Sequence, residues 1–212
     1  MRRCSVDELD EVEFLEGLPP LVRASRTGDL GEVSSLLAQG VSPAAAESDG
    51  WSALHAAASR NHTEIIRVLL EAGCPVDVMD DSGFTPLLNA AGPGNTETIS
   101  RLLAAGADPN VREYRLLQTP LLRAADYGNA EVAQLLIDAG ARIDDKSRGA
   151  TALMTAAESS DGMETVRVLL QAGADPRITD DGSDEKFVGM TAADYARRMG
   201  NTLIADFIDA WK

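Results

Sequence analysis

Two histidines and two cysteines have the widest chemical reach in this chain, and their spacing decides what chemistry is open to them. His55 ends Ser52-Ala53-Leu54-His55 and His62 follows Asn61, with no Ser or Cys at the spacing of a nucleophile and its base. Cys4 and Cys74 are too few for a disulfide framework or a structural zinc site. The acid pairs Asp80-Asp81, Asp144-Asp145 and Asp180-Asp181 lack the alternating D-x-D-x-D-G loop and the distant Glu of a calcium site. Gly92-Pro93-Gly94 is a poor phosphate cradle, because proline removes an N–H and no Lys follows. Neither an enzyme nor a bound cofactor or metal is expected.

What the chain repeats is framework. Gly40, Gly73, Gly106, Gly140 and Gly173 recur at spacings of 33, 33, 34 and 33 residues. Each follows a leucine seam: Leu36-Leu37, Leu69-Leu70, Leu102-Leu103, Leu135-Leu136-Ile137 and Leu169-Leu170. Helix starts recur at the same period as Ser52-Ala53-Leu54-His55, Thr85-Pro86-Leu87-Leu88, Thr119-Pro120-Leu121-Leu122, Thr151-Ala152-Leu153-Met154 and Thr191-Ala192-Ala193-Asp194. The Ser or Thr hydroxyl caps free N–H groups, and proline fits a first turn. The paired alanines (Ala56-Ala57, Ala90-Ala91, Ala124-Ala125, Ala156-Ala157) allow close helix approach, and the closing glycine takes the left-handed conformation. Helices this short are not stable alone in water, so the period predicts a stacked array.

The T-P-L-H-x-A pattern at this period resembles the ankyrin repeat, from about Leu18 to the C-terminus. That resemblance implies an all-α repeat solenoid, a stack of about six helix pairs with short β-hairpin-like fingers. Residues 18–40 read as an N-terminal cap, 41–73, 74–106, 107–140 and 141–173 as full repeats, and 174–212 as a C-terminal capping repeat. Residues 1–17 read as an acidic tail or a short helix. The insertion at 180–186 is expected to be a mobile protruding loop. The closing helix should lay Leu203, Ile204, Phe207 and Ile208 on the stack. Gly92-Pro93-Gly94 marks a soft point, and the finger at 112–118 is one residue longer than its neighbours and lacks their turn glycine.

The formal net charge of −15 argues against binding a phosphate backbone, which needs clustered Lys and Arg. No apolar run reaches the roughly 18 residues of a membrane span. Met1-Arg2-Arg3 is followed by acids rather than an apolar segment, so no secretory leader is expected. The default is a cytoplasmic protein, or a nuclear one in a eukaryote, monomeric when alone.

Function is therefore sought on the surface. Ankyrin stacks commonly dock partner proteins on the concave face of fingers and first helices, which by alignment holds Trp51, Met79, Asp81, Phe84, Arg112, Tyr114, Arg115, Leu117, Lys146 and Arg148. The ends of the first helices add Ser59, Arg60, Asp126, Tyr127 and Glu158. Trp51, Phe84, Tyr114 and Tyr127 are four of only nine aromatic residues, and interface hot spots favour aromatics and Arg. Arg112, Arg115, Lys146 and Arg148 form an expected cationic patch, suited to an acidic segment of a partner protein. The overall expectation is a non-enzymatic interaction module acting as adaptor, scaffold or inhibitor. Two rivals are hydroxylation of Asn110 by an intracellular oxygenase and acidic mimicry of nucleic acid.

Overall fold

The computed structural model describes residues 17–92, 94–182 and 184–211. The expected acidic tail lies outside the described residues apart from Gly17, and Cys4 lies outside with it. The helices come in consecutive pairs: α1 (Pro20–Thr27) and α2 (Leu30–Ala38), α3 (Ala53–Ser59) and α4 (Thr63–Glu71), α5 (Pro86–Ala91) and α6 (Thr96–Ala104). Then come α7 (Pro120–Asp126) and α8 (Ala130–Asp138), α9 (Ala152–Glu158) and α10 (Met163–Gln171), α11 (Ala192–Met199) and α12 (Thr202–Ala210). Each first helix packs on the next first helix, and the second helices form a parallel layer behind them. None among the described residues is long and apolar enough to cross a membrane.

The helix starts behave as their residues dictate. Ser52, Thr85, Thr119, Thr151 and Thr191 each accept the N–H three residues on through the side-chain oxygen. Leu54, Leu87, Leu121 and Leu153 fill the space behind these caps, and the alanine pairs are fully buried between adjacent first helices. In three of the pairs the residue at the inner turn ties its repeat to the previous one. His62 Nε2 donates to Arg26 O (3.3 Å), Asn129 Nδ2 to Gly92 O (2.6 Å) and Asn201 Nδ2 to Ala157 O (3.0 Å). The Asn129 bond braces the end of α5, the shortest helix, where the glycines predict a soft point.

Two expectations fail at the C-terminal end. Leu203 is 77% exposed, while Ile204, Ala205 and Ile208 carry the packing of α12. Among the described residues nothing packs on the flank of α12 that carries Leu203. The insertion at 180–186 is anchored rather than free at its ends. Asp180 is buried and accepts from Gly182 N (2.7 Å) and the Tyr195 hydroxyl (2.5 Å). Burial, with Asp180 adding to it, raises the Tyr195 phenol above its ordinary range. Just after the insertion, Phe187 stacks on Tyr195 at 5.0 Å and also carries the Arg198 guanidinium over its ring at 4.7 Å.

Candidate functional site

Four of the five fingers are turns held by a carboxylate. Asp49 accepts from Trp51 N (3.0 Å), Asp80 from Ser82 N and Phe84 N (both 2.9 Å), and Asp180 from Gly182 N. These belong to the first, second and fifth fingers. The third finger, 112–118, uses Glu113, which is 2% exposed and accepts from Arg115 N (2.8 Å), Leu116 N (2.5 Å) and Gln118 N (3.2 Å). The fourth closes instead as a two-strand ladder, β1 (Lys146–Ser147) with β2 (Ala150–Thr151). Finger joins finger through the backbone: Asp81 N donates to Asp49 O (2.8 Å) and Tyr114 N to Ser82 O (2.9 Å). Ser147 Oγ donates to Leu116 O and carries the link onward.

The third finger departs from the rest at its tip. The turn position held by Gly50 (φ +84°) and Gly83 (φ +81°) is Leu117 here, at φ +58°. A left-handed leucine is disfavoured by its Cβ, by roughly 1–2 kcal/mol. Its side chain is 48% exposed, beside Tyr114 at 62%. Tyr114 lies over Gly83, where a Cβ would sit 2.8 Å from the ring, and its hydroxyl reaches Met79 Sδ at 3.5 Å. Met79 is itself 43% exposed. Met79 and Tyr114 thus meet across two fingers, and Leu117 is exposed on the same turn as Tyr114; these three are termed the apolar ridge.

Behind the ridge the first helices carry a second group. Ser52 N donates to His55 Nδ1 (3.1 Å), so the ring proton sits on Nε2 and is donated to Phe84 O (2.9 Å). Burial holds this imidazole below its usual pKa, so it stays neutral and structural. Arg123 spreads its guanidinium over Phe84 (5.5 Å) and Tyr127 (5.9 Å), above the side-chain-free surface of Gly92. Glu158 is raised by burial and then by the charge of Asp126.

The expected site residues divide. Asp81, Arg115, Arg148, Arg60, Asp126 and Tyr127 are exposed, with the ridge residues. Trp51 and Phe84 are not exposed as expected but half-buried: Trp51 stacks on His55 at 5.3 Å, and Phe84 lies beneath Arg123. Glu158 is half-buried too. The cationic patch of four shrinks to two. Arg112 ion-pairs with Asp145 (2.8 Å) and Lys146 with Asp181 (2.8 Å), because each finger sets an acid of its successor against them. Among the described residues Arg115 and Arg148 form no ion pair. Sequence reasoning missed Glu113 and Arg123; the signal for Glu113 was an acid at the start of an enlarged turn.

Other chemistry is muted. Burial pushes the Cys74 thiol up to about 11, which keeps it protonated at neutral pH. No group of three or more His, Cys, Asp or Glu among the described residues could hold a metal ion. An open cavity of about 840 Å³ between α10 and α12 is lined by Leu170, Pro176, Ile208 and Trp211, and its acids are paired, Asp175 with Arg177 and Asp209 with Arg197.

Compared with known proteins, the chain matches a family model described as ankyrin repeats (3 copies) over residues 21–113 and 112–180. It is also similar to the human ankyrin repeat domain-containing protein 39, with 35% identity over 69 residues. That similarity covers 32% of this chain and 36% of the human protein, so the chain spans about a third of the length of the curated relative it matches.

Proposed function

The chain belongs to the ankyrin repeat family, and on that premise we propose that it is a non-enzymatic module that binds another protein through its fingers and concave face. The family's repeats generally mediate protein–protein interaction. The observation that carries the reading here is the Met79–Tyr114–Leu117 ridge, a set of large apolar side chains held outward on hydrogen-bonded fingers. Monomeric surfaces seldom keep such side chains together without a use. The role is that of an adaptor, scaffold or inhibitor, in which occupying or bringing together other proteins is the activity.

Neither rival gains from the geometry. Asn110 has both ends of its amide engaged, Nδ2 with Gly140 O (3.1 Å) and Oδ1 with Arg142 N (2.8 Å), which works against its presentation to an oxygenase. Mimicry of nucleic acid calls for a docking face dominated by carboxylates, whereas here Asp81 and Asp126 stand among exposed aromatic, aliphatic and arginine side chains. Affinity capture from the native source with wild type and with the Tyr114→Ala/Arg115→Glu double variant tests the reading. A protein retained by the first and lost by the second supports it. Equal retention moves the docking surface elsewhere, and no retained protein removes the reading.

A further inference from the structure

The tip of the third finger combines four features that no stability argument explains together. Leu117 occupies a left-handed turn position that is glycine in the other fingers, as at Gly50, Gly83, Gly149 and Gly189. The strain is held in place by Glu113, a buried carboxylate accepting three backbone N–H groups of the same turn. The exposed product is apolar. The same turn carries Arg115 and the next finger Arg148, exposed cations without an ion pair among the described residues, in a chain of net charge −15 whose other arginines largely find carboxylates. The bond from Ser147 Oγ to Leu116 O brings the residues that follow each, Arg148 and Leu117, to the same tip. Backbone strain that its surroundings over-determine is concentrated where a side chain must be presented.

We propose that this tip is the anchor of the interface, and that its occupant is an acidic–apolar segment of another protein. That segment carries an aliphatic or aromatic side chain for the Met79–Tyr114–Leu117 ridge, with Asp or Glu on its flanks for Arg115 and Arg148. The proposal rests on the interaction-module reading and names the chemistry of its partner. A basic partner attracted by the overall charge would gain nothing from this tip, where the two unneutralised charges are positive. Rigid presentation also favours binding, because little conformational freedom is left to lose on association.

The test uses phage-displayed 12-residue random peptides selected on the full chain, with a displayed library of folded domains in parallel. Enriched peptides should combine acids with a large apolar residue, and should weaken by about tenfold or more against the Arg115→Glu/Arg148→Glu variant. Leu117→Gly is the second variant. It removes the strain, so thermal stability should stay level or rise while binding falls by a similar factor. That opposition separates lost docking from lost folding. Basic consensus peptides, or clones that bind all variants equally, overturn the proposal and leave the module reading standing. Failure of both libraries to yield any specific clone removes both.

Discussion

The second and third fingers are neighbours with one construction and opposite outcomes. In the second, Asp80 accepts two N–H groups, Gly83 makes the left-handed turn, and the result is a low platform on which the Tyr114 ring lies. In the third the turn is one residue longer, Glu113 has one more methylene and accepts three N–H groups, and Leu117 stands at the turn. In this pair the longer carboxylate goes with the left-handed leucine and not with loop length alone, since Asp180 holds the still longer fifth finger with a short acid. A short acid suffices for a glycine turn, and a longer one is used where the turn must also bear a strained, exposed side chain.

The strongest way to break this comparison is to remove the two carboxylates separately. Glu113→Ala leaves three buried or half-buried N–H groups without their acceptor and should cost about 3 kcal/mol in urea unfolding. Asp80→Asn keeps an acceptor oxygen in a more open turn and should cost about 1 kcal/mol. Glu113→Asp sharpens the point, since the shorter acid should recover only part of the loss. Full recovery would show that charge alone, and not reach, holds the third finger.

The architecture was legible because it is carried by local, periodic signals. The cap at Thr85, the leucine seam and the closing glycines act within a few residues of themselves, and their repetition leaves only stacking as a way to bury them. What the sequence left hidden depends on how fingers meet each other and the helices behind them, often across 30 residues or more. Nothing local says that Asp145 neutralises Arg112 or that Asp181 neutralises Lys146, so the cationic patch reads as larger than it is. Trp51 and Phe84 look like surface aromatics until His55 and Arg123 are placed against them. The insertion looks polar and free until Asp180 is seen turned inward to Tyr195. Leu117 is an intermediate case: the missing turn glycine is visible in the sequence, and its consequence, a left-handed leucine, only in the backbone.

A smaller effect tests the platform itself. Gly83→Ala places a Cβ at φ +81° and 2.8 Å from the Tyr114 ring, so it should destabilise by about 1–2 kcal/mol. Because that ring ends an exposed side chain, it can yield, and Tyr114 would then leave its contact with Met79. A Gly83→Ala protein of unchanged stability in urea unfolding, with its Tyr114–Met79 nuclear Overhauser contact intact, would show that the second finger is not shaped to receive the third.

The smallest expected effect concerns how each finger is tied to the helix behind it. Both fingers close on themselves, Asp80 N donating to Phe84 O (3.0 Å) and Glu113 N to Gln118 O (3.2 Å), but Phe84 O also accepts the Nε2–H of His55 from the helix behind, where the third finger has Leu88 at the corresponding helix position. Burial lowers the folded-state pKa of His55, although Asp49 and Asp80 pull the other way. Below the ordinary histidine value of 6.5 the unfolded chain therefore binds more protons than the folded one, so stability present above that pH declines as pH falls below it. Protonation also turns Nδ1 into a donor facing the Ser52 N–H, which breaks that half of the capping box of α3, while the Nε2–H still donates to Phe84 O. His55→Leu gives this repeat the residue of its neighbour. The difference in stability between wild type and His55→Leu, followed by urea unfolding from pH 7.5 to 5.5, should shrink on the acid side. A difference independent of pH would mean that His55 holds the second finger without sensing protons, leaving the two fingers alike in their response to acid.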